Sequence, residues 1–292
     1  MQDWIGRVPS IDWTLAAGLM ISALVAMLTR HRGGRFRGLL GWVGFWLLLG
    51  AILVAISRLR PWISLTLLGL LMFAELRTFF SLVPVRPRDR YAVLASYVAI
   101  PTALLLGANV TQASFLATLS VLLFLLLPVL LSIRASQEGL LESMGRLLLG
   151  VLLFVFCASH MGLMVHWPAS GLPELFALLV LGAELPQRLA GRFGHESGLL
   201  RSTIGLVGGV VLATGFGYWL GPSCGLVEED SARAGLLVAL AVTLGSLLTG
   251  AVMRNLELGA AATRVGRGAF LDRAIPAVYA APVFFHYLVH FA

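Results

Sequence analysis

Ten apolar runs, each about as long as a membrane-spanning helix, divide the chain from end to end. They fall at about 13–29, 39–57, 62–82, 91–107, 114–133, 147–166, 172–187, 202–220, 234–253 and 274–291. A helix needs about 20 apolar residues to cross a bilayer. Only 12% of the residues are charged and 59% are hydrophobic, where a soluble chain would carry about 25% charged residues. The expected fold is therefore an all-α polytopic membrane protein, with nine or ten transmembrane helices in one bundle. It is a single integral-membrane domain over 1–292, with no soluble domain, linker or clear internal repeat. The first run, Trp13 to Thr29, has no basic stretch before it and no Ala-x-Ala site, so it is expected to be a retained helix. Charge interrupts the third run, at Glu75 and Arg77, and the seventh, at Glu174 and Glu184.

The charges that remain are asymmetric. All 21 basic residues are arginine, the net charge is +7, and there is no lysine. Any site that needs a fixed cation must therefore use the arginine fork, which grips phosphate in two places but cannot serve as a general base. Sixteen of the 21 arginines lie in the loops after runs 1, 3, 5, 7 and 9, and the loops after runs 4 and 6 have none. The loop after run 8 carries Glu228, Glu229 and Asp230 against Arg233. The positive-inside rule places the arginine-rich loops in the cytoplasm and both termini outside. Basic charge at such loops points to anionic lipid heads and not to nucleic acid. The two cysteines, Cys157 and Cys224, have neither CxxC nor metal spacing.

Polar residues at membrane depth concentrate in the second half. Residues 1–149 read as scaffold helices, and 150–292 hold Ser159, His160, Glu174, Glu184, Gln187, Ser202, Thr203, Ser246 and Thr249. Ionisable groups inside a membrane are costly and are functional candidates by default. Glu184 either faces a polar cavity, binding a cation, or pairs with Arg188 at i,i+4. Ser202 beside Arg201 can cap a helix and bind phosphate there, or simply cap a helix whose glycines pack closely. His160 reads more readily as a buried hydrogen-bonding histidine than as a catalytic one. His286 and His290 have a spacing that could hold a metal, with interfacial packing as the alternative. Glu75 and Arg77, two apart, do not face each other on a helix.

Chemistry is expected first between Gly245 and Phe285. An apolar helix ends there in Met253-Arg254, and a Gly-rich loop follows with Arg264, Arg267 and Arg273, and with Asp272 before the last run. The pair Gly266 and Gly268 around Arg267 permits close backbone approach to a ligand. Arg254, Arg264, Arg267 and Arg273 suit a di- or triphosphate. The alternative is a basic loop on lipid heads in which Asp272 neutralises Arg273.

The segment Gly266-Arg267-Gly268-Ala269-Phe270-Leu271-Asp272-Arg273, followed by Ala281-Pro282-Val283-Phe284-Phe285, resembles the C-terminal signature of bacterial phosphatidate cytidylyltransferases, the CDP-diacylglycerol synthases. Upstream, GSLLTGAVMRN is similar to that family's Gly-Asp helix ending in Lys-Arg. Gly191-Arg192 and Arg201-Ser202 to Gly205 resemble its Gly-Lys and Ser-Pro-Lys-Lys-Thr regions. The likeness covers about 150–292.

It implies phospholipid biosynthesis at the bacterial inner (cytoplasmic) membrane, with CTP and phosphatidic acid giving CDP-diacylglycerol and pyrophosphate. It implies Asp272, Arg273 and Arg254 as catalytic residues. Arg267, Arg201, Ser202, Gly266 and Gly268 would bind substrate phosphate, and Asp272 and Glu184 would hold a single magnesium. The chain departs from the signature at Ser246, Met253, Leu258-Gly259-Ala260, Arg267 and Ile275, where the family carries acids, lysines or a histidine. These departures deplete the metal site and imply weak or absent activity. A non-catalytic phospholipid-binding protein, or a partner subunit of a membrane lipid enzyme, is the alternative. A homodimer is compatible with either.

Overall fold

The computed structural model describes residues 37–109, 111–134, 139–165, 171–193, 198–257 and 267–291. The first apolar run and the loop from 258 to 266, with Arg264 and Gly266, lie outside them. Among the described residues there are helices and turns and no strands.

The helices are α1 (Arg37–Arg58), α2 (Pro61–Leu82), α3 (Arg90–Asn109), α4 (Gln112–Val121), α5 (Leu127–Arg134), α6 (Leu140–Val151), α7 (Ala158–Val165), α8 (Leu172–Phe193), α9 (Gly198–Leu220), α10 (Glu228–Asn255) and α11 (Arg267–Phe291). A π-helical turn at Leu122–Leu126 joins α4 to α5, and another at Leu152–Cys157 joins α6 to α7. Each joined pair makes one crossing, so eight of the resulting helices are long and apolar enough to span a membrane. In lipid every backbone group must be satisfied within the segment, which is why these runs become helices.

Local signals set several boundaries. Pro61 opens α2 at a position where its missing N–H costs nothing. Thr111 caps α4 by accepting the Ser114 N–H at 3.4 Å. In α10, Glu228, Glu229 and Asp230 occupy the first turn and Arg254 the last, the arrangement the helix dipole favours.

The seventh run becomes α8, which is buried along its first half. It is 22 residues long, about 33 Å at 1.5 Å per residue, yet it is too polar to count among the eight. Every residue from Gly171 to Glu184 is buried, as expected of a helix surrounded by others. Helices α1, α7, α9, α10 and α11 all pack against it. From the first half of the chain, α1 lies directly on α8.

Three boundaries differ from the sequence expectation. Helix α8 continues through Pro186 to Phe193, so Arg188 is a helix residue and not a loop residue. Helix α9 starts at Gly198, which puts Ser202 inside its first turns instead of at its cap. Helix α11 starts at Arg267, so Asp272 and Arg273 are helical. Gly268, Ala269 and Leu271 are buried, and that packing extends the helix into what reads locally as a Gly-rich loop.

Candidate functional site

Three helices meet at the end of the bundle where α1 and α11 begin and α8 ends. Glu184 and Arg188 are one turn apart on α8, so their side chains share a face. The Glu184 carboxylate is buried. Its Oε2 accepts the indole N–H of Trp42 on α1 at 2.7 Å and lies 3.5 Å from Arg188 Nε. The same guanidinium reaches α11, where Nη1 donates to Asp272 Oδ2 at 2.5 Å and Nη2 to the Asp272 carbonyl at 2.9 Å. Arg188 thus joins two carboxylates from two helices.

Arg273, the next residue on α11, reaches α1. Its guanidinium lies against Gly41, with Nη2 2.9 Å from where a Cβ would stand. The Phe45 and Phe270 rings, 5.8 Å apart and edge to face, close α1 onto α11 beside it. The side chains of Arg188 and Asp272 are 22% and 24% exposed against 2% for Glu184. The cluster is therefore anchored in the core and opens at its Asp272 edge.

A second polar contact ties the same two helices at the opposite end. Ser57 of α1 donates its hydroxyl to Glu174 of α8. Ten residues separate Glu174 from Glu184, about 15 Å along the axis. Each of the two acids in this buried helix therefore draws a donor from α1. Removing one such donor exposes the cost of the acid. Trp42→Phe keeps the ring and deletes the N–H, and it is expected to destabilise the fold by about 1–3 kcal/mol. The reading is the thermal midpoint of the detergent-solubilised protein, and an unchanged midpoint would show that Glu184 does not depend on Trp42.

The cluster brings together Glu184, Asp272 and Arg273 from the expected set and adds Arg188, Trp42 and Trp46. Arg188 was visible in the sequence only as an i,i+4 partner of Glu184, and its reach to Asp272 was not. Trp42 and Trp46 sit one turn apart on α1, with ring centroids 6.3 Å apart. Their one sequence-level signal is chemical, since a buried indole N–H seeks an acceptor. The Trp46 N–H and Glu184 Oε1 are both buried and have no hydrogen-bond partner among the described residues.

The remaining expected residues stand elsewhere. Arg254 is exposed on the last turn of α10 and lies along its own helix, 3.3 Å from the Cβ position of Gly250. Arg267 is exposed and faces α2, where it lines a cavity with Arg77. Gly268 is buried in the first turn of α11. The side chains of Arg201 and Ser202 lie outside the described residues, although both positions are in α9. Met253 and Ile275, where the cytidylyltransferase signature has a lysine and an aspartate, are packed into the apolar core at 4% and 0% exposure.

Glu184 and Asp272 do not fit a magnesium site as they stand. The Arg188 guanidinium stands between the two carboxylates and engages one oxygen of each, and the apolar Ile275 adds no ligand. A hard divalent cation needs several oxygens. Here the counter-charge to both acids is a side chain of the protein itself.

The histidines form a separate group near the far end of the bundle. His160 is buried. Its Nδ1 lies 2.9 Å from the Phe156 carbonyl, and its Nε2 lies 3.2 Å from Nε2 of His286. A carbonyl only accepts, so Nδ1 carries the proton and Nε2 is left to accept. His286 stacks on His290 at 12° between ring planes. His160 is thus a buried, hydrogen-bonded histidine. Fourteen residues of α11 separate His286 from Asp272, about 21 Å.

No family model matches the chain, and no solved structure matches it. An uncharacterized protein YnbB of Escherichia coli (strain K12) is 25% identical to it over 244 residues, covering 78% of this chain and 79% of that protein. The similarity therefore extends over most of both chains, and it carries no activity with it.

Proposed function

We propose that this multi-pass membrane protein is a divergent phosphatidate cytidylyltransferase-like protein of phospholipid biosynthesis. Its arginine-rich end faces the cytoplasm from the bacterial inner membrane. The observation that carries the reading is the meeting of the Asp272-Arg273 pair of α11 with Glu184 of α8, joined by Arg188, at an edge open to that side. In this reading a phosphate oxygen of phosphatidic acid attacks the α-phosphorus of CTP, and the bond to pyrophosphate breaks. Arg273 offsets charge on the phosphates, as preorganised cations do in such transfers. Asp272 keeps Arg188 aimed at the opening. Magnesium arrives bound to the nucleotide, as part of the substrate.

A specific observation favours a second reading. Arg188 holds both carboxylates, and Met253 and Ile275 are core residues. A chain built this way would bind phospholipid without turning it over, alone or as the partner of a lipid enzyme.

One assay separates the two. Purified protein in liposomes containing phosphatidic acid is given labelled CTP and magnesium. The first reading expects labelled CDP-lipid from the wild type and at least about tenfold less from Asp272→Asn, the scale of losing one charged group from such a site. The second expects none from either while both retain lipid. Equal product from the two proteins would remove Asp272 from the chemistry.

A further inference from the structure

We propose that the outer face of α2 and α3, closed below by the first residue of α11, binds one anionic glycerophospholipid. Its phosphate would sit between Arg77 and Arg267, with an acyl chain lying along α2.

Two cavities share this face and share Phe73. The first, of about 530 Å³, is apolar and runs between α2 and α3 from Trp62 past Leu70 to Phe73. The second, of about 350 Å³, starts at Phe73 and holds Arg77, Thr78, Ser81 and Arg267. The α2 residues involved recur every three or four positions, which makes one continuous stripe on a helix. Trp62, Leu70 and Phe73 are 65%, 60% and 41% exposed, so the stripe faces outward, toward lipid. From Phe73 to Trp62 is 11 residues, about 17 Å, close to half of a bilayer core about 30 Å thick.

The polar end has the charge that a phosphate needs. Arg77 and Arg267 come from different helices into one cavity, and neither makes an ion pair among the described residues. Glu75 cannot neutralise Arg77, because it lies on the buried side of α2. The Thr78 and Ser81 hydroxyls donate to carbonyls of their own helix, those of Ala74 and Thr78, at 2.6 and 2.7 Å. The guanidinium groups are therefore the donors on offer. Tyr97, which lines the apolar cavity, packs on Phe73 with ring centroids 5.0 Å apart. Two like charges facing one space at the base of an outward apolar groove suit an anionic head with a chain attached. Free phosphate would leave the groove unused.

This site is separate from the Glu184–Arg188–Asp272 cluster and does not depend on turnover of CTP. The test uses the full chain in detergent, without nucleotide. It is equilibrated with dioctanoyl phosphatidic acid or dioctanoyl phosphatidylcholine, and bound lipid is counted by native mass spectrometry. Phosphatidic acid is expected to be retained in preference to phosphatidylcholine.

The double variant Arg77→Glu/Arg267→Glu should weaken retention roughly thirtyfold, the scale for two basic residues at anionic lipid, and Arg77→Lys/Arg267→Lys should keep most of it. Ala74→Trp, at an exposed position where the cavities join, should weaken it with both arginines intact, so the test stands even if the charge-reversed protein fails to fold. Asp272→Asn should bind as wild type, which separates this site from the catalytic reading. Equal binding of the two lipids, or unchanged retention in Ala74→Trp, would overturn the proposal. Displacement by millimolar inorganic phosphate would do the same, because it would mark an anion site with no place for a chain.

Discussion

Replacing Arg188 with methionine is expected to cost the folded protein about 3–5 kcal/mol, the range for removing one partner of a buried ion pair. Arg188 bridges Glu184 and Asp272, at 3.5 Å from one carboxylate and 2.5 Å from the other. Without it two carboxylates from different helices are left at the base of the cluster without their shared guanidinium, and Glu184 keeps the Trp42 N–H. Isolated buried charge is among the costliest things a fold can hold. The Asp272 edge is partly exposed and will soften the loss by admitting water.

The diagnostic result is the rescue. Glu184→Gln with Asp272→Asn, added to Arg188→Met, removes the stranded charge and should recover most of the thermal midpoint and of the monodisperse yield in detergent. Replacing a whole buried ionic group is often close to neutral. If Arg188→Met alone melted like wild type, the cluster would carry no buried charge and its place at the centre of the proposed site would be lost.

A second large effect is expected where α9 meets α10. The backbones touch through glycine on both sides. A Cβ at Gly217 would lie 2.1 Å from the Ser231 carbonyl oxygen, and one at Gly235 2.3 Å from that of Ala213. Across α9, a Cβ at Gly209 would lie 2.6 Å from the Ala183 oxygen on α8. The neighbours are backbone atoms, so no rotamer change makes room. Small residues at such crossings are how membrane helices gain close packing.

Gly235→Ala should cost more than the about 1–3 kcal/mol typical of overpacking, and Gly235→Leu should abolish monodisperse protein. Gly215, on α9 as well, has nothing within 4 Å of its Cβ position. Gly215→Ala should therefore be neutral or slightly stabilising, by up to about 1 kcal/mol from helix propensity. Equal melting of the Gly215 and Gly235 alanine variants would show that the α9–α10 approach is not close.

These contacts mark where sequence patterning stops being informative. Spans such as α2, α3 and α10 are legible because a long apolar run has one stable solution in lipid. The central helix α8 is harder to read, because Glu174, Glu184, Arg188 and Arg192 dilute its hydropathy. It is nevertheless buried along its first half, and each of its acids has a partner there, Ser57 for Glu174, and Trp42 and Arg188 for Glu184. Hydropathy measures the residue and not its partner, so it ranks such a helix among the weakest.

The candidate site divides in the same way. Asp272, Arg273 and Glu184 stand out in the chain itself, as rare charges beside apolar runs. Arg267, grouped with them in the sequence, starts the helix that carries Asp272 and Arg273 but turns toward α2 and Arg77. Five residues on a helix amount to about 140° of rotation at 3.6 residues per turn, enough to assign two charges to different neighbours.

The membrane class, the run of helices and the residues that could do chemistry therefore follow from composition and spacing, because lipid leaves an apolar chain little choice of backbone. Which charges meet was decided in three dimensions. Trp42 lies 142 positions from Glu184 and Asp272 lies 84 from Arg188. Such pairs are selected by helix packing, which aligns faces from distant parts of the chain and leaves no local trace of having done so.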